Sequence, residues 1–274
     1  MNNLDISGTR PDRDLQALSE YLEEAGSYHQ DFVRRVAKYQ PGPPLFHYTG
    51  LSGLQGLVSK HDLWLTHALY CNDEAEVTLG INVARDQIQS LVEAPGVEPP
   101  RRDYLSALDA LLVQPPRESV YICCFCEHDD VLSQWRGYGG NGNGVSIQID
   151  PNKFVDYTGN QPFGFLSIWN VRYEKPRQEQ IMKRAIERTY EKFSASLPPD
   201  QIAKKAKDVI DFFVPTFKHD GFQEECEWRM ILAPSPSSKV KPLYRAARDM
   251  LIPYYSLKEL VLSTARKKYV AGLT

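Results

Sequence analysis

Across residues 45–66 the hydrophobic period changes twice. Phe46 and Tyr48 alternate with Leu45, His47 and Thr49, the spacing of a half-buried strand. Leu51, Leu54 and Leu57–Val58 then recur at helical spacing, and Leu63–Trp64–Leu65 opens a second extended run. Strand, short helix, strand is the prediction, with a histidine near the end of the first strand.

The same reading extends along the chain. Residues 1–12 are polar, and Leu15, Leu18, Tyr21–Leu22, Phe32 and Val36 predict an N-terminal helical extension over residues 1–40. Pro41-Gly42-Pro43-Pro44 ends it, because proline neither continues a helix nor leaves its predecessor helical. Helices are predicted over 74–93 and 101–114. The unbroken apolar run 119–126 predicts a strand buried on both faces. A short helix over 132–138 and the glycine-rich stretch 139–144 precede an alternating strand at 145–149, and another strand is predicted at 163–173. Charged amphipathic segments at 177–196 and 200–218 predict a helical insertion over about 177–218. Late strands are expected at 226–232 and 257–262. Strands spread along the chain with helices between them predict a single α+β domain over 41–274.

Bulk properties narrow the partners more than the fold. The chain has 274 residues, 42% of them hydrophobic and 24% charged, a net charge of −3 and a mean hydropathy of −0.43. A charge so near neutral advertises neither nucleic acid nor an anionic membrane, although a local basic groove remains compatible with it. No apolar run approaches the roughly 18 residues of a membrane span, so no membrane partner is expected. The opening residues lack the basic and apolar regions of a secretory leader. Five cysteines, with Cys123, Cys124 and Cys126 in one apolar run, do not make a disulfide framework. A reduced, cytoplasmic protein is the expectation.

Several short stretches carry candidate chemistry. His47 stands where a small α/β unit begins, and its ring can bond a ligand hydroxyl while the strand end holds an amide. An isolated histidine satisfied by a neighbour is the plainer alternative. In Tyr70-Cys71-Asn72-Asp73-Glu74, Asn72 and Asp73 suit the N-cap of the helix that follows, whereas Tyr70 is left to stack on a flat cationic ring or to pack. The run Glu224-Glu225-Cys226-Glu227-Trp228-Arg229 enters an apolar strand. Period-2 spacing places Glu225 and Glu227 on one face and Trp228 on the other, although a solvated, charge-protected strand edge would read the same way. Trp135 and Tyr138 share a helical face and are expected to pack, and Arg136 is a candidate anion contact. The 139–144 glycines match neither a phosphate loop nor a dinucleotide fingerprint. Cys124 and Cys126 have no second ligand pair at structural-zinc spacing, so no metal is expected. A serine-hydrolase elbow is also missing.

The ordered set F-H-Y-T-x-L-x-G-L-x-x-L, L-W-L-T-x-x-x-Y-x-N-D, C-F-C-E-x-D-D-x-L-x-x-W-x-x-Y-G with G-x-G-V-x-I, and E-x-E-W-R-M-I resembles a large bacterial family of uncharacterised proteins. That family looks like a divergent His-Tyr-Glu branch of the ADP-ribosyltransferase superfamily, matched in order by His47, Tyr70 and Glu227-Trp228. The long helical insertion departs from the minimal fold of that superfamily. The resemblance implies a split, bent mixed β-sheet of ADP-ribosyltransferase type, with NAD as co-substrate and no metal. It implies that His47, Tyr48, Thr49, Tyr70 and Asn72 bind the cofactor and that Glu227 and Glu225 are catalytic. The implied function is transfer of ADP-ribose to a macromolecule, nucleic acid ahead of protein, in a toxin or anti-phage defence protein with an antitoxin or defence-system partner. NAD hydrolysis and a catalytically inactive nucleotide-sensing module remain open beside it. A nuclease is disfavoured because no acidic metal-binding cluster is visible.

Overall fold

Strand β3 (Tyr121–Cys126) decides the architecture, because its two long edges are paired so differently. The computed structural model describes residues 44–71, 74–113, 120–151, 153–154, 159–235, 237–247 and 249–271. The N-terminal extension expected over 1–40 and the candidate ligand Asn72 lie outside them. Along one edge β3 pairs continuously with β7 (Glu227–Pro234), from Tyr121 opposite Leu232 to Cys126 opposite Glu227. Its other edge forks. Its first residues, Tyr121 and Ile122, pair with β2 (Trp64–His67), while Cys126 at its far end pairs with Phe46 of β1 (Leu45–Thr49). Between those anchor points the two neighbours part.

Each arm of the fork is widened by further strands. β1 pairs along its length with β4 (Val145–Ile149). β2 pairs with β9 (Met250–Ser256), which pairs with β8 (Leu243–Ala247). Beyond β7 lie β6 (Gly164–Asn170) and β5 (Gly159–Gln161). The expected mixed sheet is therefore corrected. Every ladder between the described strands is antiparallel, because the helices leave the sheet as insertions and do not act as parallel crossovers. The split itself is present.

Helix α1 (Leu51–Lys60) joins the two arms and spans the mouth of the fork. Helices α2 (Glu74–Glu93), α3 (Pro99–Leu112), α5 (Lys175–Phe193) and α6 (Pro199–Phe213) form one layer with its own apolar core, which includes Leu105, Leu108, Met182 and Ile210. The insertion is therefore not a separate excursion: it completes a layer begun before β3. Phe212 ties this layer to the sheet through edge-on contacts with Phe165 and Trp169 at 5.3 and 5.7 Å. On the other face Leu45, Phe125, Trp228 and Leu260 share a second core.

Residues 257–262 form no strand. They begin α7 (Leu257–Ala271), whose Leu257 and Leu260 enter the sheet core one helical turn apart. Ser256 Oγ accepts from the Glu259 N–H at 3.1 Å and Asp62 Oδ1 from the Lys258 N–H at 3.0 Å, so the helix start is capped. The α6 helix also stops before 218. It ends at Phe213 and passes into a 3₁₀ turn over Val214–Thr216, because Pro215 cannot donate to the helical ladder.

Candidate active site

Two adjacent cavities that share part of their lining occupy the fork. The larger, about 430 Å³, is lined by His47, Tyr48 and Thr49 from one arm, Trp64, Thr66 and Arg245 from the other, and Tyr70. A smaller one of about 50 Å³ reaches Glu225 and Glu227. His47, Tyr48, Cys124 and Tyr138 line both, so Tyr138 stands at the junction.

β1 delivers His47 into the fork half-buried. Its Nδ1 donates to the Cys124 carbonyl at 3.0 Å. Burial lowers the pKa of the ring against the opposing effect of that bond, so it is neutral. With Nδ1 carrying the proton, Nε2 holds a lone pair and accepts a hydroxyl hydrogen.

Tyr48 does a different job. Its hydroxyl donates to the His128 carbonyl at 2.8 Å and accepts from the Val131 N–H at 3.0 Å, and its ring meets Trp135 edge-on at 4.9 Å. Buried to 6% exposure, it pins the turn before α4 (Leu132–Gly137) against β1. Trp135 packs edge-on with Tyr48, and its Nε1 donates to Asp130 at 2.8 Å. The glycines explain themselves sterically. A Cβ on Gly144 would collide with the carbonyl oxygen of Thr49, and one on Gly53 with the Thr49 hydroxyl. Thr49 is the post against which loop and helix close.

Tyr70 lies in a 3₁₀ turn (Ala68–Tyr70) after β2. It is 43% exposed, and its ring stands edge-on to His67 at 5.4 Å. It also lines the larger cavity, within reach of a flat ligand ring placed there.

Glu227 is not at a solvated edge. β7 is paired on both sides, and Glu227 and Arg229 are 5% and 3% exposed. Arg229 grips the carboxylate with Nε to Oε1 and Nη2 to Oε2, both at 2.8 Å, and its Nη1 donates to the Pro215 carbonyl at 2.9 Å. Lys218 Nζ donates to Glu227 Oε2 at 3.1 Å and to Glu225 Oε2 at 2.7 Å. Burial pushes the Glu227 pKa up, but Arg229 and then Lys218 outweigh it and hold it at about 2. Two carboxylates and two cations thus balance in a buried quartet. Glu225 ends a 3₁₀ turn (Asp220–Glu225) and does not lie on β7, since Cys226 between the two glutamates is left-handed with φ 43°. Tyr173 Oη accepts from the Glu227 N–H at 2.8 Å and fixes the backbone below the carboxylate.

Cys124 joins the two halves of the site. Its carbonyl receives His47, and its thiol donates to Glu227. Burial, reinforced by the Glu227 charge, pushes this thiol well above its ordinary pKa and keeps it protonated.

Lys218 was hidden inside the helix predicted over 200–218. The break at Pro215 releases it into an extended segment. The Arg172 N–H donates to the Thr216 carbonyl at 2.7 Å and the Lys218 N–H to the Arg172 carbonyl at 3.1 Å. Gln178 of α5 then donates to the carbonyls of both Arg172 and Lys218, at 2.7 and 2.9 Å. The helical layer therefore positions the lysine that holds both glutamates. Among the described residues no group of three or more His, Cys, Asp or Glu is arranged to hold a metal ion, and no helix is long and apolar enough to cross a membrane.

Residues 134–230 match the model of a family described as "Protein of unknown function (DUF2971)". The matched stretch contains Tyr138, Lys218, Glu225, Glu227 and Arg229 and ends before β8, while His47 and Tyr70 precede it. No curated protein and no solved structure matches the chain.

Proposed function

We propose that the fork is an NAD site and that the protein transfers ADP-ribose from NAD to a macromolecule, on a sheet of ADP-ribosyltransferase type. The observation that carries this reading is the convergence of His47 and Glu227 on two adjacent cavities that share His47, Cys124 and Tyr138 in their linings, with the part-exposed Tyr70 lining the larger.

The chemistry assigned to these groups is modest. The His47 lone pair accepts a ribose hydroxyl and orients the sugar. Tyr70 stacks on the cationic nicotinamide ring. The C–N bond to nicotinamide breaks with its electron pair leaving on the ring, so the ribose becomes oxocarbenium-like, and a nucleophile on the acceptor then bonds to that carbon while its proton passes to solvent water. Glu227 supports the developing positive charge as a fixed anion. Held ionised by Arg229 and Lys218, it is a weak base, so the role assigned to it is electrostatic.

The basic residues of the insertion do not favour nucleic acid over protein as acceptor. Arg188 pairs with Glu191 at 3.1 Å, Lys204 with Asp200 at 3.4 Å and Lys207 with Asp211, so much of that charge is neutralised locally. A second reading has a specific observation in its favour. Both Glu227 oxygens already accept from Arg229, and Lys218 adds a further bond. A carboxylate so occupied suits a module that binds a nucleotide without turning it over. Purified protein incubated with labelled NAD and separate pools of DNA, RNA and cell protein separates the readings. Nicotinamide release with label in one pool supports transfer, and free ADP-ribose alone makes it a hydrolase. NAD binding without release makes it a sensor.

A further inference from the structure

The far wall of the large cavity, away from the glutamates, carries a cation with little to hold it. Arg245 projects from β8 and lines the cavity together with Thr66, Trp64 and Tyr70. Its Nη2 donates to Thr66 Oγ1 at 3.3 Å, and the guanidinium lies 5.8 Å over the Trp64 ring. Its Nε is buried and has no hydrogen-bond partner among the described residues, and no described carboxylate pairs with it. The contrast with Arg229, in the same sheet, is direct: there Nε and Nη2 meet a carboxylate and Nη1 a carbonyl. The acidic side chain among the cavity's lining residues is already committed. Asp62 lines the same cavity, but its oxygens accept from Trp64 Nε1 at 3.1 Å and from the Lys258 N–H at 3.0 Å.

A half-buried guanidinium without a counter-ion is costly to desolvate, and an anion delivered by a ligand removes that cost. We propose that Arg245 is the anion-receiving residue of the cavity, and that the ligand bears a phosphate or pyrophosphate that lies against it. Trp64 and Thr66 act as positioning residues that keep the guanidinium plane facing the opening. The identification of that ligand as NAD rests on the reading above. The anion site does not. In the NAD case, pyrophosphate at Arg245 leaves the nicotinamide riboside half to span the cavity towards Tyr70 and His47.

The test is calorimetric titration of the full chain with ADP-ribose and, separately, with inorganic pyrophosphate. It compares wild type, Arg245→Gln and Arg245→Lys, with melting temperatures recorded for each. Expected is a loss of affinity of about tenfold or more in Arg245→Gln, partial retention in Arg245→Lys, and weakening of wild-type binding with salt. Arg245→Lys keeps the charge without the planar fork, so it reports on the site even where the glutamine variant folds poorly. Equal affinity in wild type and both variants overturns the assignment, as does wild type that binds neither probe. Pyrophosphate binding that depends on Arg245, without ADP-ribose binding, upholds the anion site and removes NAD as its ligand.

Discussion

His47 and Glu227 sit on strands flanking β3, and one residue of β3 connects them: the Cys124 carbonyl accepts from the His47 Nδ1–H while the Cys124 thiol donates to the Glu227 carboxylate. Neither group is set independently. The histidine tautomer and the orientation of the carboxylate both depend on where β3 holds that single residue.

Glu227→Gln is expected to fail on two counts. Sequence alone would call the change isosteric and structurally silent. The amide leaves Lys218 and Arg229 buried with one anion fewer, so stability should fall by about 3 kcal/mol or more. Nicotinamide release should drop on the order of 10²–10³-fold. Denaturant midpoints and single-turnover release measure the two effects. Normal release from a folded variant removes Glu227 from the mechanism.

Acid unfolding should expose the same carboxylate. Its folded pKa of about 2 lies below the ordinary 4.5, so its contribution is fully present above about pH 4.5 and is lost as pH falls towards 2. The size is on the order of 3 kcal/mol. Glu227→Gln should flatten stability against pH in that window. An unchanged slope means the quartet is not the acid-sensitive element.

Lys218→Met is predicted to destabilise by about 3–5 kcal/mol, because two buried carboxylates then share one cation. Adding Glu225→Gln should recover a good part of that loss, since the double variant restores one anion to one cation. A double-mutant cycle from urea midpoints reads the coupling, and simple additivity would show that Lys218 and Glu225 do not interact.

Tyr48→Phe discriminates a pin from a ligand contact. Two hydrogen bonds vanish, so a loss of about 1–3 kcal/mol is expected, with NAD affinity little changed. His47→Ala should do the reverse: a rise in KM of about tenfold with a small change in melting temperature. Interchanged effects would exchange the two roles.

The local periods were legible where burial is one-sided or complete. The β1–α1–β2 unit, β3, β4, β6 and the helix over 74–93 follow directly from spacing. Strands β8 and β9 were not read at all, and α7 was mistaken for a strand because its first residues are as apolar as a buried strand. The Ser256…Glu259 capping pattern was the signal that distinguishes them. Of the site, His47, Tyr70, Glu225 and Glu227 were visible as residues, but their environment was not. The quartet joins Lys218 to residues beyond a helix break, and its character depends on β7 being central in the sheet. Arg245 sits on a strand whose partner is fixed only by the fold. Such long-range pairings leave no local period to read.

The gap in the ladder at the fork has its own consequence. Between Ile122 and Cys126, β3 has no strand partner on the open side among the described residues, although β7 pairs with it along its whole length. On that stretch the Cys124 carbonyl already accepts from the His47 ring, a side chain standing where a strand's N–H would be. What the open edge of β3 can offer to anything entering the cavity is therefore set by that one residue.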